Sequence, residues 1–316
     1  MTASPLENRT VVVTGAARGL GAALARDLSR RGARLALLGH ERAGLEDVAT
    51  SLSTRAMAVE VDITDGEALA RAAKEVRARL GPVSAVVANA GIAQGGPFAA
   101  SDPAGWRRVI DVNLIGSALT ARTFLPDLMA TAGYFLQVGS LASFGAAPMM
   151  SAYCASKAGV EAFAHALRAE VAHHGVAVGV AYINWTDTDM IRDADRHAVL
   201  RELRAAMPAP ARRVHPADRV AARLAWAVEH RRTAVYMPAW LRLVQAGRAA
   251  LPPVVLRVSR RRLPRLEARA PFRSTGPLGA GGRADEWSAR QDRGEEDPGE
   301  GEHAGPRQGR PRDVRP

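Results

Sequence analysis

The sequence is poor in cysteine, lysine and aromatic residues. Cys154 is its single cysteine among 316 residues, which excludes an intrachain disulfide framework and fits a reducing compartment. Lysine occurs only at positions 74 and 157, so the formal net charge of +11 is carried almost wholly by arginine. Aromatic residues make up 5%. Without aromatics interleaved among the basic residues, or a recognisable reading motif, that charge does not point to nucleic acid. Much of the arginine follows Leu256, where Glu and Asp dilute it, and a solvated tail is the plainer expectation. No run of about 18 apolar residues occurs, so no spanning helix is expected. The opening MTASPLENRT lacks a basic-then-apolar leader pattern, and a cytoplasmic location is the expectation.

What the chain does have is 47% hydrophobic residues, enough for a covered core. Short aliphatic runs at 10–14, 34–38, 56–61, 83–88, 134–139, 176–183 and 233–237 alternate with amphipathic stretches such as 19–31, 65–80, 102–129 and 151–174. The runs are apolar on both faces, as strands are when helices cover both sides of a parallel sheet. The fold class predicted is therefore α/β: a single Rossmann-type domain, doubly wound, with ligands at the carboxyl edge of the strands. The catalytic domain is expected over 1–238, a helical basic extension over 239–272 and a disordered tail over 273–316. Residues 185–215 are too long for an ordinary connection and read as a substrate loop.

The first strand runs into Thr14-Gly15-Ala16-Ala17-Arg18-Gly19-Leu20-Gly21 and a helix. Glycines there allow a sharp turn and let a pyrophosphate reach exposed N–H groups at the helix start. At the end of the second strand a carboxylate would accept from the ribose 2′-hydroxyl and repel a 2′-phosphate. Here that position is Gly39, with Arg18, His40 and Arg42 near enough to meet a phosphate, so NADP(H) is favoured over NAD(H). Glu41 turned inward would reverse that preference. Farther on, Tyr153 and Lys157 open a helix four residues apart and share a face. With four tyrosines and two lysines in the chain, that spacing rarely arises by chance. A tyrosine titrating near 10 is a poor acid–base group at neutrality, and a neighbouring ammonium lowers its pKa.

Together these residues resemble the classical short-chain dehydrogenases/reductases, over roughly residues 10–238. The resemblance implies that Gly15, Arg18, Gly19, Leu20 and Gly21 hold the cofactor, that Asp62 contacts adenine with Ile63 beside it, and that Asn89-Ala90-Gly91 supports the sheet and the adenosine ribose. It further implies a water-holding Asn113, a Ser140 that binds the substrate oxygen, a Tyr153 that transfers the proton, a Lys157 that also donates to the nicotinamide ribose, and a Thr188 on the carboxamide. A homodimer or homotetramer acting on a small molecule is implied as well, and no His/Asp/Glu spacing in the sequence suggests a metal site. One departure stands out: Asn184-Trp185 replaces the Pro-Gly that family members carry before Thr188.

Phe144, Met149, Met150, Trp185, Met190 and Ile191 flank these residues and suggest a hydrophobic ketone or secondary alcohol. Cys154 reads as packing and His173-His174 as a helix end. The stretch from Trp240 to Arg262 alternates aliphatic blocks with arginine. It reads as a terminal helix packed on the domain or a partner subunit, or else as an interfacial helix touching anionic membrane. The competing function is a catalytically silent cofactor-binding regulatory or scaffold protein on the same fold, which would be expected to lose Ser140, Tyr153 or Lys157.

Overall fold

The computed structural model describes residues 4–292 other than Ala146 and Ala270. Seven parallel strands form the main sheet: β1 (Thr10–Thr14), β2 (Arg34–Gly39), β3 (Ala56–Glu60), β4 (Val83–Ala88), β5 (Tyr134–Val138), β6 (Ala177–Ile183) and β7 (Ala234–Met237). Their spatial order is β3-β2-β1-β4-β5-β6-β7. In β1, Val12 faces one apolar layer with Ala36 and Val86, whereas Val11 and Val13 face the other with Leu35, Leu37 and Val87. That alternation is why the strands read as continuous apolar runs. Fully buried side chains such as Leu24 and Phe124 each contribute about 1.5–3 kcal/mol. The order reverses between β1 and β4, so their carboxyl ends at Thr14 and Ala88 flank the crevice where such sheets take ligands.

The stretch 102–129, expected as one helix, is interrupted. Helices Pro103–Ile110 and Gly116–Ala130 are joined by a π turn over Asp111–Ile115 that carries Asn113. Residues 185–215 fold into three short helices, Asp189–Ala194, Ala198–Ala205 and Ala209–Arg212. The excursion is pinned at its base, where Asp187 N donates to His215 O at 2.8 Å and His215 N to Trp185 O at 2.8 Å. After β7, helix Leu241–Ala246 buries Leu241 against the core and helix Leu251–Glu267 follows. Gln245 donates to Tyr182 Oη at 2.8 Å and Arg248 to buried Glu161 at 3.0 Å, fastening this extension to the domain. Among the described residues no helix is long and apolar enough to cross a membrane.

The tail differs from expectation between 274 and 292. Gly276–Pro277 pairs antiparallel with Gln94–Gly95, and helix Gly279–Asp292 follows. The composition is polar, but a single apolar side chain suffices to seat it: Leu278 is buried against Ala93 and Ala194, and Gly279 N and Arg283 both donate to Asp193 Oδ2, at 2.8 and 2.7 Å. Residues 293–316, also expected to be disordered, lie outside the described residues.

Candidate active site

The glycine loop is shaped by close contact with β4. Gly15 has φ of +64°, and a Cβ there would lie 2.8 Å from Ala90 Cα; one on Gly21 would lie 2.1 Å from Gly15 O. Thr14 Oγ1 accepts from Asn89 N and Ala90 N at 3.1 and 3.0 Å, while Asn89 Nδ2 donates to Thr14 O at 2.9 Å. Asn89 thus ties the two strand ends together. Helix Gly19–Arg30 begins without a side-chain cap or an acidic residue in its first turn, leaving N–H groups and the positive end of its dipole for an anion. Gly15, Arg18, Gly19, Leu20, Gly21, Ala90 and Gly91 all line one cleft of about 970 Å³. Arg18 adds a buried Nε with no partner. An uncapped helix start, a backbone cradle and an arginine Nε–H without a partner fit a dinucleotide pyrophosphate.

The ribose rim contains more charge than the sequence indicated. Glu41 does line the cleft, and it forms an ion pair with Arg18. His40 lies 3.3 Å from Asp285 on the C-terminal helix, and Arg108 joins Asp285 and Asp62 at 2.7 and 2.8 Å. Asp62 is not among the cleft-lining residues; it accepts from Thr64 N at 2.7 Å and faces Arg108, whereas Ile63 and Asp285 do line the cleft. Burial acts to raise the Asp62 and Asp285 carboxyls, but the donors around them outweigh it and hold both below the usual range. The hydrogen bond to Asp285 raises His40 above its ordinary value against the opposing effect of burial.

The His40 and Asp285 shifts fix a pH window for the 274–292 strap. Asp285 supplies its charge above its depressed pKa, and His40 supplies its charge until pH passes its raised one. Amide exchange at Leu278–Asp285 is therefore expected to be slowest in mildly acidic solution and to speed up as pH rises beyond 6.5, after correction for intrinsic rates. His40→Asn should flatten that profile; an unchanged profile would show that the His40–Asp285 contact does not help to hold the strap.

The reacting end is built from β5 and the helix Ser151–Val171. Ser140 follows β5, and its Oγ accepts from Ala142 N at 3.1 Å, capping a short turn. Ser143, which the sequence reading missed, donates to Lys157 O at 2.9 Å and accepts from Ser140 N at 3.3 Å. It locks the strand end to the helix, and its position three residues after a serine cap was the available signal. Ser140, Tyr153 and Lys157 all line the cleft. Lys157 Nζ donates to Val138 O at 3.2 Å and stands 5.6 Å from the centre of the Tyr153 ring. Burial pushes the Tyr153 hydroxyl up to about 12, partly offset by a hydrogen bond with Ser140, and pushes Lys157 down to about 8. The expected lowering of Tyr153 by Lys157 is not found in this cleft: desolvation governs the hydroxyl, and the hydrogen bond with Ser140 is what lowers it. Asn113 is fully buried; it receives Ile92 N at 2.8 Å and donates to Ile92 O and Ser156 Oγ, both at 2.9 Å. It sits behind Gly91 and does not line the cleft.

Asn184, in place of the first residue of Pro-Gly, sends its Nδ2 to Ala211 O at 2.9 Å and so braces the substrate loop. Trp185 leaves its indole N–H buried without a partner. Thr188 lies against Gly19 and lines the cleft, as do Met150, Trp185, Met190 and Ile191. Phe144 does not: it packs on Tyr182 with ring centres 4.7 Å apart, in the core. Met149 is also absent from the lining, its backbone being turned to φ +67°.

A family model described as short chain dehydrogenase matches residues 9–198. The acetoacetyl-CoA reductase of Synechocystis sp. is 34% identical over 203 residues, covering 63% of this chain and 81% of the relative. The cis-4-hydroxycyclohexanecarboxylate dehydrogenase of Sinomonas cyclohexanicum is 36% identical, with 58% and 75% covered. Among solved structures, a metagenomic short-chain oxidoreductase in complex with NADP is similar at a TM-score of 0.55 and 33% identity, covering 57% of this chain and 83% of that one. The family model's match ends at residue 198, short of the extension and the strap.

Proposed function

The chain belongs to the short-chain dehydrogenase family, and from that premise we propose that it moves a hydride between NADP(H) and a hydrophobic ketone or secondary alcohol. The observation that carries this reading is the meeting of Ser140, Tyr153 and Lys157 in the same cleft as the glycine loop. The cofactor, when bound, supplies the hydride acceptor or donor. Gly15, Arg18, Gly19, Leu20 and Gly21 would hold its phosphates, Ile63, Asn89, Ala90 and Gly91 its adenosine half, and Thr188 with Lys157 its nicotinamide half. Ser140 and Tyr153 then bind the substrate oxygen, and Tyr153 gives or takes the proton. Lys157 stabilises the phenolate whenever that proton is away. Asn113 acts from behind, holding the Ile92 loop and the helix in register. Burial of Lys157 strengthens its polar contacts. A silent scaffold is disfavoured because the three reacting side chains are all retained. A homodimer or homotetramer remains the expected assembly.

The NADP(H) preference rests on Gly39, which places no carboxylate at the ribose, and on Arg18 and His40 beside it. Glu41 does line the cleft and opposes it, but its carboxylate is engaged by Arg18 rather than free for a ribose 2′-hydroxyl, so a 2′-phosphate has to displace it from that arginine. Titration with NADPH and NADH, followed by a ketone and alcohol panel, tests the reading. Glu41→Gln should tighten NADPH binding several-fold and leave NADH within twofold. Tighter binding of NADH by the wild-type enzyme would reverse the cofactor assignment.

A further inference from the structure

The cleft continues past the reacting groups to the helix Leu251–Glu267. Leu251, Val254, Val255, Val258 and Arg262 of that helix line it, a stripe at helical spacing that runs about 16 Å along the axis at 1.5 Å per residue. Leu203, Met207 and Pro208 of the substrate loop line the same space. Val254 and Val258 nevertheless remain 56% and 42% exposed. Leu251 packs against the core, but the aliphatic stretch beyond it faces a gap rather than a protein partner, which is unfavourable unless a ligand fills it.

The far end of this stripe is strongly basic. A second groove of about 550 Å³ shares Val258 and Arg262 with the cleft and adds Arg257, Arg261, Arg265 and Arg269. Glu202 is the one carboxylate among its lining residues. From Tyr153 outward the lining therefore passes from polar and reactive, through aliphatic, to a cluster of guanidinium groups that match carboxylate or phosphate.

We propose that the substrate is an anionic amphiphile. Its carbonyl or carbinol sits at Tyr153, its aliphatic chain lies along Leu251–Val258, and a terminal carboxylate or phosphate is held by Arg261, Arg262 and Arg265. This rests on the oxidoreductase reading of the cleft and adds the class of molecule it takes. Nothing in the glycine loop or the Ser140–Lys157 group requires such a substrate; the extension supplies it.

The test uses the full chain and straight-chain methyl ketones of increasing length, each ending in methyl, carboxylate or phosphate. Binding is read without cofactor, by displacement of a fluorescent long-chain fatty acid, and turnover is read with the preferred cofactor. Long anionic ketones should bind at least tenfold more tightly than neutral ones of equal length. Arg261→Gln/Arg262→Gln/Arg265→Gln should abolish that difference by bringing the affinity for anionic chains down to that for neutral ones. Val258→Asp should weaken long chains of every kind. Comparable affinity for neutral and anionic chains, or an unaltered anionic preference in the triple variant, overturns the proposal. So does arginine-dependent sedimentation with phosphatidylserine vesicles without displacement by monomeric amphiphile, which would make this face a membrane contact. Arginine-dependent binding of the amphiphile with no turnover by either cofactor would instead overturn only the catalytic reading.

Discussion

Tyr153→Phe is expected to lower turnover by about 10²–10⁴-fold on any accepted substrate, the range ascribed to a positioned general acid–base group. Cofactor affinity should change little, because the phenol oxygen faces Ser140 rather than the glycine loop. The fold should survive: the ring is retained, and Ser140 Oγ keeps its bond from Ala142 N at 3.1 Å. With Tyr153 held up near 12 by burial, the hydroxyl is protonated at neutral pH, so the substitution deletes a neutral proton donor and no charge is stranded. Circular dichroism and a nicotinamide titration establish that the variant is intact; stopped-flow turnover then gives the answer. A folded variant that keeps most of its rate assigns the proton to another group.

Lys157→Met is expected to separate catalysis from stability. The ammonium is buried and displaced from 10.5 to about 8 by desolvation alone, which amounts to roughly 3 kcal/mol against its charged form at 1.36 kcal/mol per pKa step. Below pH 8 the native state carries that full penalty, and the penalty fades as pH rises from 8 toward 10.5, where the unfolded chain also loses the proton. Methionine removes the penalty but leaves Val138 O without the donor now 3.2 Å away, a loss of about 1 kcal/mol. The variant should therefore unfold at a higher temperature than wild type at pH 7 and lose that advantage near pH 10.5. Turnover should fall by at least 10²-fold, since neither the phenolate nor the nicotinamide ribose keeps its cation. A lower melting temperature at pH 7 would mean that the ammonium is better solvated than its burial implies.

Strand positions were legible because both-face burial leaves an unbroken aliphatic run, and all seven strands end within one residue of where the run ends, β2 through Gly39 included. Helix ends at Gly19 and Ser151 were equally plain. The π turn at Asp111–Ile115 was not, since it breaks no apolar periodicity; its effect is to set Asn113 against Ile92 and Ser156. The disordered reading of 274–292 failed for a related reason. Average composition governs whether a segment can build its own core, but Leu278, Arg283 and Asp285 dock on a core already made.

By itself the sequence determined the parallel sheet, the glycine cradle and the sharing of one helix face by Tyr153 and Lys157, because each depends on local spacing and burial pattern. Only the tertiary structure decided that Glu41 holds Arg18, that Asp62 faces Arg108, and that Asp285 reaches His40 from more than 240 positions away. Tertiary packing also decided the sign of the Tyr153 shift. Spacing says which groups are neighbours, but a pKa is set by how much water the fold leaves around them.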